Sequence, residues 1–110
     1  MTMEPQIQSL IDRFAQKMEK DEEARKDVEP LIKTVNIDLG TEQYSMKLEH
    51  AAISEFKPEL RPEADLLLTT TPENLQAIID GELRPMRAYI TKKITIKGKI
   101  QDLMFLKKFF

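Results

Sequence analysis

The stretch Ala64–Gly98 most constrains the fold, because its pattern changes from strand to helix and back to strand within one short segment. An aliphatic, threonine-rich run predicts a strand. Thr71 followed by Pro72 then predicts a helix start, because a threonine hydroxyl accepts a free backbone N–H and proline suits the first helical position. Gly81 predicts the end of that helix, and Pro85 the start of another. The apolar face of the first helix consists of Leu75, Ile78 and Ile79. A strictly alternating run of lysine, isoleucine and threonine predicts the last strand.

The N-terminal half predicts a helix followed by a hairpin and a third strand. Apolar residues at helical spacing form one stripe: Ile7, Leu10, Ile11, Phe14 and Met18. The mixed charges from Glu19 to Glu29 predict an exposed helix end or a solvated connector rather than core. The alternating runs Val35–Leu39 and Tyr44–Leu48, joined by a glycine-containing loop, predict a hairpin. In the third strand, Ala51 to Lys57, we expect a bulge or a break near Ser54.

The clean alternation of these strands predicts a sheet with one dry face. Antiparallel sheets leave one face wet, whereas parallel sheets are covered on both faces and show continuous apolar runs. Helices expected near 5–20, 72–80, 85–91 and 100–109 need a surface for their apolar stripes, and the dry face provides it. We therefore expect one α+β domain over residues 1–110, with a mostly antiparallel four- or five-stranded sheet and helices packed on one face.

Two strings in the chain resemble the sterol carrier protein type 2 family. DGELRPMRAYITKKITIKG resembles that family's core signature, in which a proline-led helix and a K-I-x-I-x-G strand follow an acidic or small residue, a glycine and a leucine. ADLLLTTTPENL is similar to the family's aliphatic strand, Ser/Thr-Pro-Glu and helix. The resemblance implies a carrier that holds a sterol, a fatty acyl chain or an acyl-coenzyme A in an apolar tunnel between sheet and helices.

The apolar residues expected between the two layers are the candidate ligand-binding residues. Periodicity does not distinguish a lined tunnel from a filled core, and pattern alone favours the core; the resemblance favours the tunnel. The chain contains six methionines and no tryptophan, and flexible methionines adapt to irregular apolar shapes such as a bound chain. The candidate tunnel residues are Phe14, Met18, Leu75, Ile79, Met86, Tyr89, Ile94, Ile96, Leu103 and Leu106.

The one basic cluster lies toward the C-terminus and consists of Lys92, Lys93, Lys97, Lys99, Lys107 and Lys108, of which Lys92, Lys93 and Lys97 form the candidate headgroup patch. With a formal net charge of -2, the chain has no global field that would attract nucleic acid or an anionic membrane. A solvated sheet edge accounts for the lysines, and the functional alternative is a patch for anionic headgroups or coenzyme A phosphates.

Catalytic patterns are weak, and we expect no enzyme activity, no cofactor and no metal site. His50 is the only histidine, and its neighbour Glu49 points to the other face of a strand, so the two do not predict an acid–base pair. The chain has no cysteine and no glycine-rich phosphate loop. The absence of cysteine fits a reducing compartment and no apolar run is long enough to span a membrane, so we expect a cytoplasmic protein.

Two departures from the family pattern concern lysines. Lys92 stands where many members have glycine, which makes a turn with positive φ less certain, and Lys99 replaces a small acidic or amide residue. The apolar tail Ile100–Phe110 predicts a mobile lid over a ligand or a homodimer contact. Beside a lipid carrier with transient membrane contact, the alternatives are an interaction module with a filled core and an acyl-coenzyme-A-handling accessory to an enzyme.

Overall fold

A computed structural model describes residues 2–98, which form two helices, three strands, a fourth strand, two further helices and a fifth strand. The elements are α1 (Glu4–Lys20), α2 (Glu22–Val28), β1 (Lys33–Asp38), β2 (Gln43–Glu49), β3 (Ala52–Lys57), β4 (Leu66–Thr69), α3 (Pro72–Ile79), α4 (Pro85–Ile90) and β5 (Thr95–Lys97). The helix expected near 100–109 lies outside the described residues. Within residues 2–98, no helix has the length and apolar character that crossing a bilayer requires.

The five strands form one sheet in the order β3-β2-β1-β4-β5. Three neighbouring pairs, β1 with β2, β2 with β3 and β4 with β5, are antiparallel, which confirms the mostly antiparallel sheet. The central pair, β1 with β4, is parallel, so the sheet is mixed. A parallel pair needs a crossover connection, and here β2, β3 and the loop over residues 58–65 provide it.

The predicted hairpin is confirmed by the register of β1 and β2, in which Val35 lies opposite Met46 and Ile37 opposite Tyr44. The predicted irregularity in β3 is also confirmed. Ser54 pairs with Lys47 and Lys57 with Ser45, which leaves one extra residue on β3. Glu55, inside this bulge, has a φ of 54°. A bulge of this kind bends the strand and increases its twist.

The helices pack on one face of the sheet, as expected. One row of side chains crosses that face from β2 to β5, because Tyr44 lies opposite Ile37, Ile37 beside Leu68, and Leu68 opposite Ile96. The ring of Phe56 on β3 extends the row, with its centroid 5.5 Å from that of Tyr44. Residues from α1, α3 and α4 pack over this row in the main apolar cluster: Ile7, Leu75 and Ala88.

A second, smaller apolar cluster corrects the expectation for residues 19–29. This segment contains α2, whose start is capped by the Asp21 side chain accepting a hydrogen bond from Ala24 N at 3.1 Å. Val28 at the end of α2 is buried against Met18 and Leu48. The prediction that this charged segment contributes no core residue was therefore wrong, because a single valine at a helix end leaves no periodic apolar pattern.

Candidate functional site

The candidate site is the apolar layer between the helices and the sheet. Its floor is the row of strand side chains described above, and its roof comes from α1, α3 and α4. Several large aliphatic side chains in this layer are only partly buried. They are Leu10, Ile11, Ile78, Ile79 and Leu83. The layer is therefore an apolar surface that the described residues cover incompletely.

The position of α3 is fixed by the cap that the sequence predicts. Thr71 Oγ1 accepts a hydrogen bond from Asn74 N at 3.1 Å, and Pro72 occupies the first turn, which confirms the predicted start. The predicted end is confirmed by Gly81, whose φ is 79°. Leu75 is the buried residue of α3 and enters the main cluster.

The turn between α4 and β5 is tied to α3 and β4 through the backbone of Lys93. Its carbonyl accepts hydrogen bonds from Thr70 Oγ1 at 2.8 Å and from Asn74 Nδ2 at 3.2 Å. The N–H of Lys93 donates to the carbonyl of Ala88 at 2.8 Å, and the N–H of Ile94 donates to the same carbonyl at 3.2 Å. These bonds place Ile94 in the main apolar cluster beside Ala88.

Lys92 in the same turn has a φ of 62°, in the left-handed region. The expectation that a lysine makes this conformation less certain was therefore wrong. The backbone hydrogen bonds from Lys92 N to Tyr89 O and from Lys93 N to Ala88 O close the end of α4 around it. These closing bonds hold the lysine in a conformation that glycine adopts more readily.

The structure brings some of the predicted tunnel residues together and separates others. Leu75 and Ile94 are buried in the main cluster, with Ile79 and Ile96 packed against it. Met18 and Phe14 belong to the second cluster. Leu103 and Leu106 lie outside the described residues. The tunnel itself, and the assignment of these residues to its wall, stay predictions.

The remaining two predicted tunnel residues, Met86 and Tyr89, are 47% and 41% exposed. Ala88 is the buried residue of α4 and is completely inaccessible. The side of α4 that carries Met86 is therefore exposed, and the small alanine on the opposite side approaches the core.

A polar contact at the edge of the main cluster was missed by sequence analysis. The Glu42 carboxylate accepts two hydrogen bonds at 2.6 Å, from the backbone N–H of Met3 and from the hydroxyl of Tyr44. Burial, together with the hydrogen bond to Glu42, raises the pKa of the Tyr44 phenol. The contact ties the start of α1 to β2, and because residues 3 and 42 are far apart in sequence, no local pattern indicates it.

An open cleft of about 620 Å³ lies beside this contact, between the start of α1, the β1–β2 turn and α3. Its lining includes carboxylates and amides: Gln6, Glu42, Glu73, Gln76, Asp80 and Glu82. Met3, Pro72 and Ala77 also line this cleft, so its surface is partly apolar, while its carboxylates repel the headgroup of a fatty acid.

The predicted basic patch and the single histidine are both at the surface. Lys92, Lys93 and Lys97 are exposed around β5. His50 lies in the β2–β3 turn, where Nε2 is 3.5 Å from Glu49 Oε1, and its side chain is largely solvated. Nothing in this contact provides a buried acid–base pair.

Comparison with known proteins then places this fold. Residues 11–110 match the sequence pattern of the SCP-2 sterol transfer family. The chain belongs to the SCP-2 sterol transfer family. Membership supports lipid binding and transfer as its class of function and confirms the resemblance found in its signature strings. No curated protein matches the chain in sequence.

Solved structures with this SCP-2 fold include proteins of similar length. A crystal structure of sterol carrier protein 2 is 19% identical with a TM-score of 0.65, over 92% of this chain and 87% of that one. Palmitated SCP2L2 from Aedes aegypti is 18% identical with a TM-score of 0.61, over 93% and 91%. UbiJ-SCP2, a ubiquinone synthesis protein, is 14% identical with a TM-score of 0.67, over 96% and 90%.

The SCP-2 fold also occurs inside a larger protein. The sec-alkylsulfatase Pisa1 from Pseudomonas sp. is 17% identical with a TM-score of 0.62, but the chain spans only 13% of that protein's length. At these identities the similarity concerns the fold alone.

Proposed function

We propose that this chain is a cytoplasmic carrier, rather than an enzyme, that binds a hydrophobic ligand in an apolar tunnel between sheet and helices and transfers it. The ligand class is a fatty acid, an acyl-coenzyme A or a sterol-like lipid. The observation that carries the proposal is the family match over residues 11–110. The incompletely covered apolar layer between α3 and the sheet supports it.

Burial energetics favour such a role without catalytic groups. At about 0.8 kcal/mol per buried methylene, a long acyl chain gains on the order of 10 kcal/mol before the opposing terms. Affinity then depends more on chain length than on the headgroup. A fatty acid is the first ligand to test, because an SCP-2-like relative in Aedes aegypti has been solved in its palmitated form.

The experiment combines lipid extraction with a binding assay. Native mass spectrometry of the purified protein should show a stoichiometric lipid, and a fluorescent long-chain fatty acid should bind in solution. Ile79→Trp adds volume next to the main cluster and should weaken binding with little loss of stability, because a lined void tolerates volume that a packed core does not. Ile32→Trp is the matched control, at an exposed position outside both clusters.

Two results contradict the carrier. One is a protein that neither co-purifies with lipid nor binds the probe. The other is an Ile79→Trp variant that loses several kcal/mol of stability, which indicates a filled core.

A second candidate function is an accessory role beside an enzyme, favoured by the similarity to UbiJ-SCP2. In that role the chain presents or holds an acyl-coenzyme A or another lipid-like substrate while the chemistry occurs on another protein. The interaction module with a filled core is a separate alternative, which sedimentation over a range of concentrations tests: a monomer that binds the fatty acid supports the carrier, and a dimer without lipid supports the module.

A further inference from the structure

Helix α4 presents its large apolar side chains to solvent. Met86 and Ile90 are one helical turn apart and therefore share a side, opposite the buried Ala88. Ile90 is 71% exposed, Met86 47% and the flanking Tyr89 41%. Only one other large apolar residue among residues 2–98 is this exposed, Ile32 at 58%. Three such side chains on one six-residue helix form a patch rather than scattered exposure.

Cations flank this apolar patch in the sequence. Between residues 83 and 98 the sequence contains no aspartate or glutamate, although the whole chain is acidic with a net charge of -2. Within the part of the chain that the structure describes, none of these cations forms an ion pair with a carboxylate. They are Arg84, Arg87, Lys92 and Lys93, whereas Lys97 follows Ile96 on β5 and lies on the opposite face of the sheet.

We propose that this surface, hereafter the α4 surface, docks the protein on an anionic lipid bilayer. Met86 and Ile90 enter the interfacial region and Tyr89 lies at the headgroup level, where amphipathic rings are favoured. The cations bind lipid phosphates and carboxylates, each contributing about 1 kcal/mol, or about fivefold in binding, near an anionic surface. The α4 surface is defined by Arg84, Met86, Arg87, Tyr89, Ile90, Lys92 and Lys93.

This inference rests on the proposed carrier function and specifies where the carrier meets its lipid source. Ala88 and Ile94, on the inner side of the same α4–β5 unit, belong to the main apolar cluster. Docking through the α4 surface therefore brings the apolar layer next to the membrane.

The size and charge of the patch favour a membrane over a protein partner. A standard protein interface buries about 800 Å² on each side, which three partly exposed side chains do not supply. A second copy of this chain would also place like charges against each other across the contact. A bilayer needs only a few inserted side chains when several cations add to the binding.

The chain has no cysteine, so single-cysteine variants report on one position each. Ile90→Cys carries an environment-sensitive fluorophore on the α4 surface, and Ile32→Cys is the matched control at the other strongly exposed isoleucine. With vesicles of phosphatidylcholine and phosphatidylserine at about 7:3, the label at position 90 should shift to the blue and the label at 32 should not. Vesicles of phosphatidylcholine alone, or high salt, should abolish the shift.

Charge variants provide a second measurement. Arg84→Gln with Arg87→Gln should weaken vesicle partitioning about 25-fold, at about fivefold per cation. Lys20→Gln with Arg25→Gln removes two exposed cations from α1 and α2 and should change partitioning by less than about twofold.

Three outcomes overturn the docking proposal. In the first, the labels at 90 and 32 respond alike to vesicles. In the second, the thiol of Ile90→Cys reacts much more slowly than that of Ile32→Cys before any vesicle is added, which means that other residues of the chain cover α4. In the third, Ile90→Ser abolishes concentration-dependent self-association while vesicles have no effect, which assigns the surface to a second copy.

Failure of docking is distinguishable from failure of the carrier. Fatty acid binding in solution does not require a membrane, so a protein that binds the probe but ignores anionic vesicles retains the proposed function and loses only the docking surface. A protein that partitions to anionic vesicles but binds no fatty acid in solution retains the docking surface and loses the proposed carrier function.

Discussion

The side-chain amide of Asn36 forms two hydrogen bonds with the backbone of Arg61, one through its nitrogen and one through its oxygen. Asn36 Nδ2 donates to Arg61 O at 3.0 Å, and Arg61 N donates to Asn36 Oδ1 at 3.0 Å. Asn36 is a buried residue of β1, and its side chain lies on the sheet face opposite the apolar row. The pair therefore fastens the loop over residues 58–65 to the outer face of the sheet.

We expect Asn36→Ala to lower the free energy of unfolding by about 2 kcal/mol, because two hydrogen bonds at about 1 kcal/mol each are lost at a buried site. Asn74→Ala is the control: it removes one exposed hydrogen bond of 3.2 Å to Lys93 O and should change stability by less than about 1 kcal/mol. Urea unfolding measures both. Equal losses in the two variants would mean that the loop at Arg61 is not held by Asn36.

Replacing Lys92 by glycine should stabilise the protein. A side chain in the left-handed region costs about 1–2 kcal/mol, and glycine removes that strain at some loss of backbone entropy, so Lys92→Gly should gain about 0.5–1 kcal/mol. Lys93→Gly removes the same charge at a position without positive φ and should lose about 0.5–1 kcal/mol. If thermal unfolding shows that Lys92→Gly gains stability and Lys93→Gly loses it, the positive φ of Lys92 is supported. A loss of stability in both variants argues against that conformation.

Gly98 should not tolerate a methyl group. A Cβ built there meets Leu66 Cδ2 at 2.5 Å and Asp65 O at 3.0 Å, and Leu66 is almost completely buried. Gly98→Ala should therefore cost about 1–3 kcal/mol through overpacking. If the contact with Leu66 is the cause, the cost should shrink by at least about 1 kcal/mol in a Leu66→Ala background. Additive costs in the double variant would assign the cost to the contact with Asp65 O instead.

The stability contribution of Tyr44 should disappear at alkaline pH. Its raised pKa means that the folded state keeps the phenol protonated where the unfolded phenol, with a pKa near 10.0, has ionised. The contribution is complete below pH 10 and is lost as pH rises through the higher folded pKa.

Tyr44→Phe should lose about 1–2 kcal/mol at pH 7, and its deficit relative to the wild type should shrink above pH 10. Tyr89→Phe, at an exposed position, should change stability by less than about 0.5 kcal/mol at pH 7. A Tyr44→Phe deficit that stays constant up to pH 11 would contradict the buried hydrogen bond to Glu42.

The sequence predicts those parts of the fold whose signal is local. The alternation around Val35 and Tyr44 predicts the hairpin because strand side chains repeat every two residues, and Thr71 with Pro72 predicts the start of α3 because a cap acts within one turn. The parallel pairing of β1 with β4 joins Val35 to Leu66, and no local period encodes a contact across that separation.

The same distinction applies to the candidate site. Leu75 and Ile94 were predicted and are buried, because each stands on the apolar side of an amphipathic element. The exposure of Met86 was not predicted, since a short helix with apolar residues on several sides is oriented by the packing of Ala88 rather than by its own periodicity. The hydrogen bonds to Glu42 were not predicted either, because only the tertiary structure brings Met3 next to Glu42 and Tyr44.

The crossover between β1 and β4 has a consequence for the order in which the chain assembles. The strands β1, β2 and β3 pair with their sequence neighbours, which is fast, whereas β4 joins β1 only after residues 39–65 are in place. We expect pulsed amide exchange during refolding to protect Tyr44 before Leu68. Because α3, α4 and β5 follow β4, the part of the apolar face that these elements cover stays exposed on a newly synthesised chain until this late step, whereas α1 precedes the strands and can already pack on them.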